Sequence, residues 1–444
     1  MVNSKENILK KVKEHKIKFI HLWFTDILGF LKSVAITSGE LIRAIDEGIG
    51  FDGSSIEGFA RIDESDMIAV PDISTFQILP IGMNEGYSIA RMFCDIMKSD
   101  KTPYQGDPRW ILKKITKEVS DQMKFTSYMG AELEYFYFKN STLPPQLLDR
   151  GSYFDLTPTD VASDLRNKTI QALESMEISA ECSHHEVASS QHEIDLKFTN
   201  TLSMADNIMT SKLLIKEIAL KHGAYATFMP KPIYGENGSG MHTHQSLFRE
   251  NKNVFFDSKE KNHISKTAKQ YIAGLLRHSP EITVVTNQWV NSYKRLVPGY
   301  EAPVYLTWAL KNRSDLIRVP EYQPHDEKAM RIEFRSPDPA CNPYLTFAVM
   351  LAAGAEGIKN AYEPPPPTQQ NVYQMTEEER KHTGIDMLPG SLYEAIKIAE
   401  KSNLLRKTLG EHIFTKLLEN RKIEWNNYTR QVSSYELEKF FAVL

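Results

Sequence analysis

The sequence predicts an α+β protein built from more than one folded unit. Its 444 residues exceed the usual size of a single domain. Strand-like alternation of apolar and polar residues recurs between helical segments along most of the chain. Residues 99–108 form a polar segment with two prolines and a glycine, so the boundary between a small first unit and a larger second unit is expected there.

In the first unit we expect a short amphipathic helix at the start, a hairpin and a second helix. The hairpin strands are predicted at 18–25 and 30–36 around the turn 26–29, and the helix at 38–47. In the second unit, Asp107 is expected to cap a helix over 108–123. Further strands are predicted at 126–138, 191–198, 225–230, 241–248 and 330–335, and further helices at 160–177, 202–222, 264–278 and 343–358. Strands this far apart in sequence must meet in one sheet. A loop is expected at 364–367 and mainly helix in the last eighty residues.

The bulk composition excludes several classes of protein. The net charge of −4 gives no electrostatic footprint for nucleic acid or an anionic membrane. No apolar run approaches the roughly 20 residues needed to span a bilayer, and the N-terminus does not resemble a signal peptide. The three cysteines lack metal-ligand spacing and are expected to be reduced, as in a cytoplasmic protein. Any metal must therefore be held by oxygen and imidazole.

Two strand segments place carboxylates on one face. Alternation over 330–335 puts Glu333 between Arg331 and Arg335, which is typical either of a surface salt-bridge ladder or of a site for metal and anion together. Glu132 and Glu134 share a strand face roughly 7 Å apart along the strand. Like charges on such a half-apolar face repel unless a cation lies between them. A hard divalent cation is the simplest solution.

Residues 183–195 contain three histidines and two glutamates. They lack the HExxH spacing of a helical zinc site, and alternation indicates a strand from Gln191 onward. Structural or hydrogen-bonding histidines are one interpretation and metal ligands the other. Glu186 and Glu193 remain candidate ligands because Glu132 and Glu134 need partners for a hard cation.

Residues 235–240 form a glycine-rich loop that leads into a strand. The loop matches neither common phosphate-loop fingerprint, so it is either an ordinary turn or a backbone cradle for a ligand. His242, His244 and Ser246 share one face of the following strand, which favours the second interpretation.

Arginines cluster downstream of this loop, at positions 295, 313, 318, 331 and 335. They are either exposed charges or guanidinium groups that bind phosphate and carboxylate. Their proximity in sequence to Glu333 favours the second interpretation.

Four segments together carry a specific resemblance. Residues 52–55, 237–242, 294–303 and 331–335 resemble the signature segments of type I glutamine synthetase, in order and with matching spacing from about residue 15 to the C-terminus. The resemblance implies a β-grasp domain over 15–100, then a guanido-kinase-like α/β catalytic domain over 103–444 with a large curved antiparallel sheet. It also implies a homo-oligomer, a dodecamer of two hexamer rings, with active sites between neighbouring subunits.

The resemblance further implies roles for individual residues. One Mg²⁺ or Mn²⁺ would be held by Glu134, Glu186 and Glu193, and a second by Glu132, His242 and Glu333, with two or three ions per site. L-Glutamate would be held by Asn237, Gly238, Arg295, Glu301, Arg313 and Arg335. ATP would be held by Glu181, Phe198, His244, Gln245, Ser246, Arg313, Arg318 and Lys328. Asp52 and Asp66 would bind and deprotonate ammonium, Arg313 would face the transferred phosphoryl group, and Glu301 would sit on a flap over the intermediate.

The implied activity is ATP-dependent ligation of ammonia to glutamate through γ-glutamyl phosphate. A relative that ligates glutamate to polyamines or other amines is the alternative, and retention of Asp52 and Asp66 favours ammonia. A guanido kinase would not need the segment around Asp52. A non-catalytic relative would be expected to lack some of the six metal ligands.

Two departures from the family pattern bear on geometry and control. Residues 187–190 read Val-Ala-Ser-Ser, where a proline and a glycine are more usual. Residues 380–392 lack the tyrosine that one branch adenylylates, and the region after Phe138 lacks that branch's insertion. The chain thus resembles the alpha-type branch, in which an arginine at the position of Arg61 is expected to mediate inhibition by glutamine; an exposed loop arginine without a regulatory role is the alternative. The resemblance leaves room for a small regulatory protein as a partner.

Overall fold

A computed structural model describes residues 4–54, 56, 65–80, 86–260, 262–310, 312, 314–321, 326–369 and 371–444. Within these residues the strands form two sheets, one of six strands from residues 17–98 and one of nine strands from residues 126–334. The chain is therefore α+β, as predicted. The domain limits of 15–100 and 103–444 stay a prediction.

The elements follow in chain order. The strands are β1 (Ile17–Thr25), β2 (Leu31–Thr37), β3 (Ile49–Asp52), β4 (Asp66–Pro71), β5 (Gln77–Ile78), β6 (Ser88–Lys98), β7 (Thr126–Phe138), β8 (Ala180–His185), β9 (Gln191–Asn200), β10 (Tyr225–Thr227), β11 (Thr243–Arg249), β12 (Lys252–Asn253), β13 (Trp308–Leu310), β14 (Ile317–Val319) and β15 (Ile332–Phe334). The helices are α1 (Lys5–Glu14), α2 (Leu41–Glu47), α3 (Pro108–Met123), α4 (Ser163–Ser175), α5 (Thr201–Lys221), α6 (Lys266–Thr286), α7 (Ser292–Arg295), α8 (Pro343–Lys359), α9 (Glu377–His382), α10 (Leu392–Ala399), α11 (Asn403–Thr429) and α12 (Ser434–Phe440).

The smaller sheet has the strand order β2-β1-β6-β4-β3, with β5 also paired to β6. β1 and β6 run parallel, and the other pairs are antiparallel. The predicted hairpin is confirmed as β1 and β2, and the helix α1 packs on this unit through Ile8 and Val12. The edge strand β3 ends at Asp52, directly opposite Asp66 on β4.

The larger sheet has the order β13-β14-β15-β11-β7-β9-β8, with β10 paired to β7 and β12 to β11. β13 and β14 are parallel, so the expected antiparallel sheet is in fact mixed. The central strand β7 shows the period-two pattern clearly, since Met129, Leu133 and Tyr135 are buried in the main core with the helices. Glu132 and Glu134, one position out of phase, therefore lie on the opposite face.

Most of the elements predicted from sequence are confirmed. Helix α3 has its predicted bounds, and Asp107 caps it: the Asp107 carboxylate accepts a hydrogen bond from the backbone amide of Arg109 at 2.9 Å. The strand β8 is absent from the sequence-based assignment. Its half-exposed, polar residues give no apolar alternation, so only its pairing with β9 identifies it. Within the described residues, no helix combines the length and apolar character needed to cross a bilayer.

A buried arginine joins the two sheets. The Arg109 guanidinium on α3 contacts Asp72 at 2.8 Å and Asp95 at 2.7 Å in the smaller unit, and Asp206 on α5 at 2.9 Å. Asp206 also accepts a hydrogen bond from the Tyr344 hydroxyl at 2.6 Å. Because this one cation serves carboxylates from both units, it fixes the smaller sheet relative to the larger one.

We expect Arg109→Ala to destabilise the protein by about 3–5 kcal/mol, because it leaves the buried carboxylate of Asp206 without its cation. Urea unfolding followed by circular dichroism measures this. Lys117→Ala is the matched control: Lys117 forms a solvent-exposed ion pair with Asp121 at 2.7 Å, whose loss should change stability very little. Similar midpoints for the two variants would contradict this role for Arg109.

Candidate active site

A cavity of about 900 Å³ opens on the face of the larger sheet that carries Glu132 and Glu134. It collects most of the residues that the sequence singled out. Its lining includes Glu132, Glu134, Glu186, Glu193, Asn237, Gly238, His242, Arg295, Glu301, Arg318, Glu333 and Arg335. Residues from distant parts of the sequence thus converge here, as the sequence predicted.

One corner of the cavity is a carboxylate–imidazole cluster. Glu132 accepts hydrogen bonds from His242 Nδ1 at 2.8 Å and from His244 Nε2 at 2.6 Å. Burial alone would raise the pKa of Glu132, but these two hydrogen bonds outweigh it and hold that pKa well below its usual value. Glu132, His242 and Glu333 offer three ligand atoms that lie within 4.8 Å of one another. Oxygen and imidazole donors at this separation suit a divalent cation.

Glu333 is fully buried between two guanidinium groups. Arg318 contacts Glu333 Oε2 at 2.6 Å, and Arg335 bonds its other oxygen. Burial would raise the pKa of Glu333, but Arg335 lowers it below its ordinary value. The Nε atoms of Arg318 and Arg335 are buried and have no hydrogen-bond partner within the described residues. These arginines therefore line the cavity as buried or partly buried cations and are not surface charges.

A second corner holds carboxylates whose nearby ion-pair partners are histidines: His184 lies 3.6 Å from Glu186 and 3.8 Å from Glu193. The pairing of β7 with β9 places Glu134 opposite Glu193, and both side chains are buried. Burial and the nearby Glu186 raise the pKa of Glu134 to about 8. Burial and the neighbouring Asp195 raise the pKa of Glu193 well above its usual value. Glu134, Glu186 and Glu193 therefore fit a cation that the protein itself does not supply.

The glycine-rich loop is a cradle around a buried arginine. A Cβ at Gly238 would lie 2.4 Å from the Pro230 carbonyl oxygen, and one at Gly240 would lie 2.5 Å from Arg295. The Arg295 guanidinium donates to the carbonyls of Ser336 at 2.6 Å and Arg335 at 3.1 Å. The close approach explains why glycine is required, so the loop is more than an ordinary turn.

The flap predicted around Glu301 also contacts this loop. Asn237 Nδ2 donates to Glu301 Oε2 at 3.3 Å, and Glu301 has a φ of +56°, in the left-handed region. Lys231 lies 3.8 Å from the centre of the Tyr300 ring, one residue earlier. The flap residue thus lies over the cavity in a backbone conformation that is unfavourable for a glutamate.

Among the described residues expected to face ATP, Arg318 lines the cavity, and Glu181, Phe198, His244, Gln245, Ser246 and Lys328 are not among its lining residues. Phe198 is half-exposed on β9 beside Tyr128, and Glu181 and Lys328 are exposed. Gln245 must be corrected. Its side chain accepts from the Tyr271 hydroxyl at 2.7 Å, on the helix-covered face of the sheet. Alternation along β11 sends His244 and Ser246 to one face and Gln245 to the other, so its side chain cannot contact a ligand in this cavity.

Asp52 and Asp66 lie outside this cavity. They face each other on β3 and β4 of the smaller unit, and both are exposed. The hydroxyl and backbone amide of Ser54 lower the pKa of Asp52, so its carboxylate is ionised. Arg61 and Arg313 lie outside the described residues.

Several polar residues of the site escaped the sequence reasoning. Gln191 Nε2 donates to Glu134 Oε2 at 3.1 Å and to the Gly238 carbonyl at 3.2 Å, which links a carboxylate corner to the glycine loop. Asp195 lies opposite Glu132 and accepts from the Cys182 thiol at 2.8 Å. Partial burial and this hydrogen bond raise the pKa of Cys182 to about 12. Only the alternation of Gln191, Glu193 and Asp195 on one face of β9 could have indicated them.

Glu193 offers a sharp test of the cation site. We expect Glu193→Gln to weaken Mn²⁺ binding at least tenfold, or by about 1.4 kcal/mol, because it removes a buried anionic ligand. In the metal-free protein the same change should leave the melting temperature unchanged or raise it, since Glu193 lies near the carboxylates of Asp195 and Glu134 and its ion-pair partner is a histidine 3.8 Å away.

Electron paramagnetic resonance of free Mn²⁺ and thermal melts in EDTA measure the two effects. Glu174→Gln, at an exposed position on α4, is the control. Unaltered Mn²⁺ binding by Glu193→Gln would remove Glu193 from the ligand set.

Comparison with known proteins agrees with this arrangement over nearly the whole chain. The family model described as the glutamine synthetase β-grasp domain matches residues 16–99. The model described as the glutamine synthetase catalytic domain matches residues 105–440.

Individual relatives agree with the family models. The chain is 50% identical over 448 residues to glutamine synthetase from Mycolicibacterium smegmatis, with 100% of both chains covered. It is 49% identical to glutamine synthetase from Methanosarcina mazei, over 99% of this chain and 98% of that protein. The fold is similar to that of Plasmodium falciparum glutamine synthetase, with a TM-score of 0.88, 25% identity and 98% of each chain covered. It is equally similar to GmaS in complex with ADP, with a TM-score of 0.88, 26% identity, and 98% of this chain and 99% of that chain covered.

Proposed function

Because this chain belongs to the glutamine synthetase family, we propose that it ligates ammonia to L-glutamate at the expense of ATP, through γ-glutamyl phosphate. The products are L-glutamine, ADP and phosphate. The observation that carries the proposal is the convergence, in one cavity, of buried carboxylates whose pKa values are raised by burial and by one another and of buried guanidinium groups that are held in place. A reaction between two anions, ATP and glutamate, requires both kinds of group.

The carboxylates would hold two or three divalent cations, Mg²⁺ or Mn²⁺. Glu134, Glu186 and Glu193 form one set, and Glu132, His242 and Glu333 the other. When bound, the cations neutralise phosphate charge and polarise the transferred phosphoryl group. Gln191 keeps Glu134 oriented, and the Arg335–Glu333 contact fixes the second set.

The guanidinium groups and the glycine loop would bind glutamate. Arg295 and Arg335 are buried, already oriented and suited to carboxylates. The backbone of Gly238 and the amide of Asn237 line the same cavity and supply neutral partners. The orientation of the bound glutamate matters, because the side-chain carboxylate of this substrate must attack the γ-phosphorus of ATP in line with the leaving oxygen.

The proposed ATP side of the site is formed by Glu181, Phe198, His244, Ser246, Arg318 and Lys328. The exposed ring of Phe198 suits stacking against a purine base. Arg313 is proposed to contact the transferred phosphoryl group. Ammonia must lose a proton before it attacks the acyl phosphate, and the proposed acceptors are Asp52 and Asp66. Glu301 on its flap would exclude water from the acyl phosphate, which hydrolyses readily.

Asp52 and Asp66 lie outside the cavity of their own subunit, which supports a site shared between neighbours in a ring-shaped homo-oligomer. We propose the dodecamer of two hexamer rings expected from the family, in the cytoplasm. Feedback inhibition by glutamine through Arg61, and a small regulatory protein, also remain proposals.

The activity is tested by phosphate release from ATP with glutamate and a panel of amines. We expect kcat/KM to be highest for ammonium, well above methylamine and putrescine, because the exposed acids of β3 and β4 bind a small cation. Glutamine formation is checked by mass spectrometry. Preferred turnover of putrescine or methylamine would instead identify an amine ligase of the same family.

Subunit mixing tests the shared site. Asp52→Ala and Glu193→Gln are each expected to lose at least a hundredfold in kcat, or about 2.7 kcal/mol. Their defects would lie in different parts of a shared site, so dissociated and co-assembled mixtures should recover part of the activity. Each variant reassembled alone is the control. Mixed assemblies that stay as inactive as the parents would contradict a site built from two subunits.

A further inference from the structure

A buried group of polar side chains lies directly behind the loop that carries Glu186. Its members are at most 7% exposed, and two of them are histidines for which the sequence left a structural role and metal binding open. The members are Asp149, Asp160, Arg166, His185 and His192. Buried charges of this kind persist only when they satisfy one another.

At one end of this group, Asp160 and Arg166 determine which ring nitrogen of His192 carries the proton. Arg166 forms a two-pronged ion pair with Asp160, at 2.5 and 3.1 Å, and donates to His192 Nδ1 at 2.7 Å. A guanidinium group only donates, so His192 carries its proton on Nε2, which faces Asp149 Oδ2 at 3.6 Å. Asp149, His185 and His192 offer atoms within 4.8 Å of one another, but His192 has no lone pair left for a metal. The cluster is therefore not a further metal centre: hydrogen bonds hold each half of it, and the contact between His192 and Asp149 is longer than a hydrogen bond.

At the other end of the group, Asp149 and His185 contact the loop that carries Glu186. Asp149 Oδ1 accepts from His185 Nε2 at 3.0 Å and from the Ser190 amide at 2.9 Å. The other nitrogen of His185, Nδ1, donates to the carbonyl of Glu186 at 2.7 Å. One carboxylate thus restrains both ends of the loop 185–190.

Ser190 adds a second connection, at a position where the chain departs from its family. Its φ is +64°, a conformation that glycine adopts more easily. Its hydroxyl accepts from the amides of Leu148 at 2.8 Å and Asp149 at 3.0 Å. These bonds offset the backbone strain and join the loop to the segment around Asp149. The opposite side is closed by Gly151, where a Cβ would lie 2.6 Å from His185 Nε2.

We propose that Asp149 is a positioning residue: through His185 and Ser190 it holds the backbone of Glu186, and with it the Glu186 carboxylate, in place for the metal. The inference rests on the proposed function in one respect, the assignment of Glu186 as a ligand. Hydrogen-bonded groups behind metal ligands typically contribute tenfold to a hundredfold to metal affinity.

The test is Mn²⁺ binding to the full chain, followed by electron paramagnetic resonance of the free ion. Asp149→Asn keeps the volume but places an amide donor against the Nε2 proton of His192. We expect one class of Mn²⁺ sites to weaken by about tenfold to a hundredfold while the rest are unchanged. Activity should recover when Mn²⁺ is raised, which a general loss of structure would not allow. Asp164→Asn, an exposed aspartate on α4, is the matched control.

Two further variants separate the possible outcomes. If Glu186→Gln loses the same class of sites and folded Asp149→Asn keeps them, Asp149 has no positioning role. If Glu186→Gln also keeps them, the ligand set of the proposed function is itself wrong. Should Asp149→Asn fail to fold, Gly151→Ala decides, because its methyl displaces the His185 ring without changing any charge. Gly39→Ala is its control, since a Cβ there meets only the Thr37 hydroxyl, at 3.8 Å. Wild-type Mn²⁺ affinity in Gly151→Ala would overturn the proposal.

Discussion

Repulsion between carboxylates on one face of the larger sheet is the constraint on which the rest of the site depends. The register of β7 against β9 brings Glu134 opposite Glu193 and Glu132 opposite Asp195, in surroundings from which most water is excluded. Ionised carboxylates in such an arrangement need compensating positive charge, and burial without it raises the pKa of Glu134 to about 8. The protein supplies part of that charge through Arg335 and Arg318 and leaves the remainder to bound cations. Because bound cations relieve the repulsion between these carboxylates, the same arrangement favours the binding of cations.

The sequence predicted the faces of the strands well, because alternation depends only on local geometry. It placed Glu132 with Glu134, and Glu333 with its arginines, on the correct sides. Alternation along β11 also excludes the Gln245 side chain from the cavity, although the family resemblance had included that residue.

Register and long-range contacts could not be predicted in this way. Nothing in residues 180–185 announces a strand, since β8 is defined by the partner it pairs with. The position of Asp149 behind Glu186 depends on how a loop folds back across 36 residues of sequence to meet His185. The division of the carboxylates into two metal sets came from the resemblance alone. Physical reasoning on the residues established only that cations were needed.

The hydrogen bond from Cys182 to Asp195 has a chemical consequence of its own. Cysteine reacts with oxidants and electrophiles as the thiolate, and a pKa of about 12 keeps this thiol protonated at neutral pH. Cys182 is solvent-exposed and lines the cavity, where oxidation would add negative charge beside carboxylates that already repel one another. Partial burial and the hydrogen bond to Asp195 thus favour the protonated, less reactive form of this thiol beside the cavity.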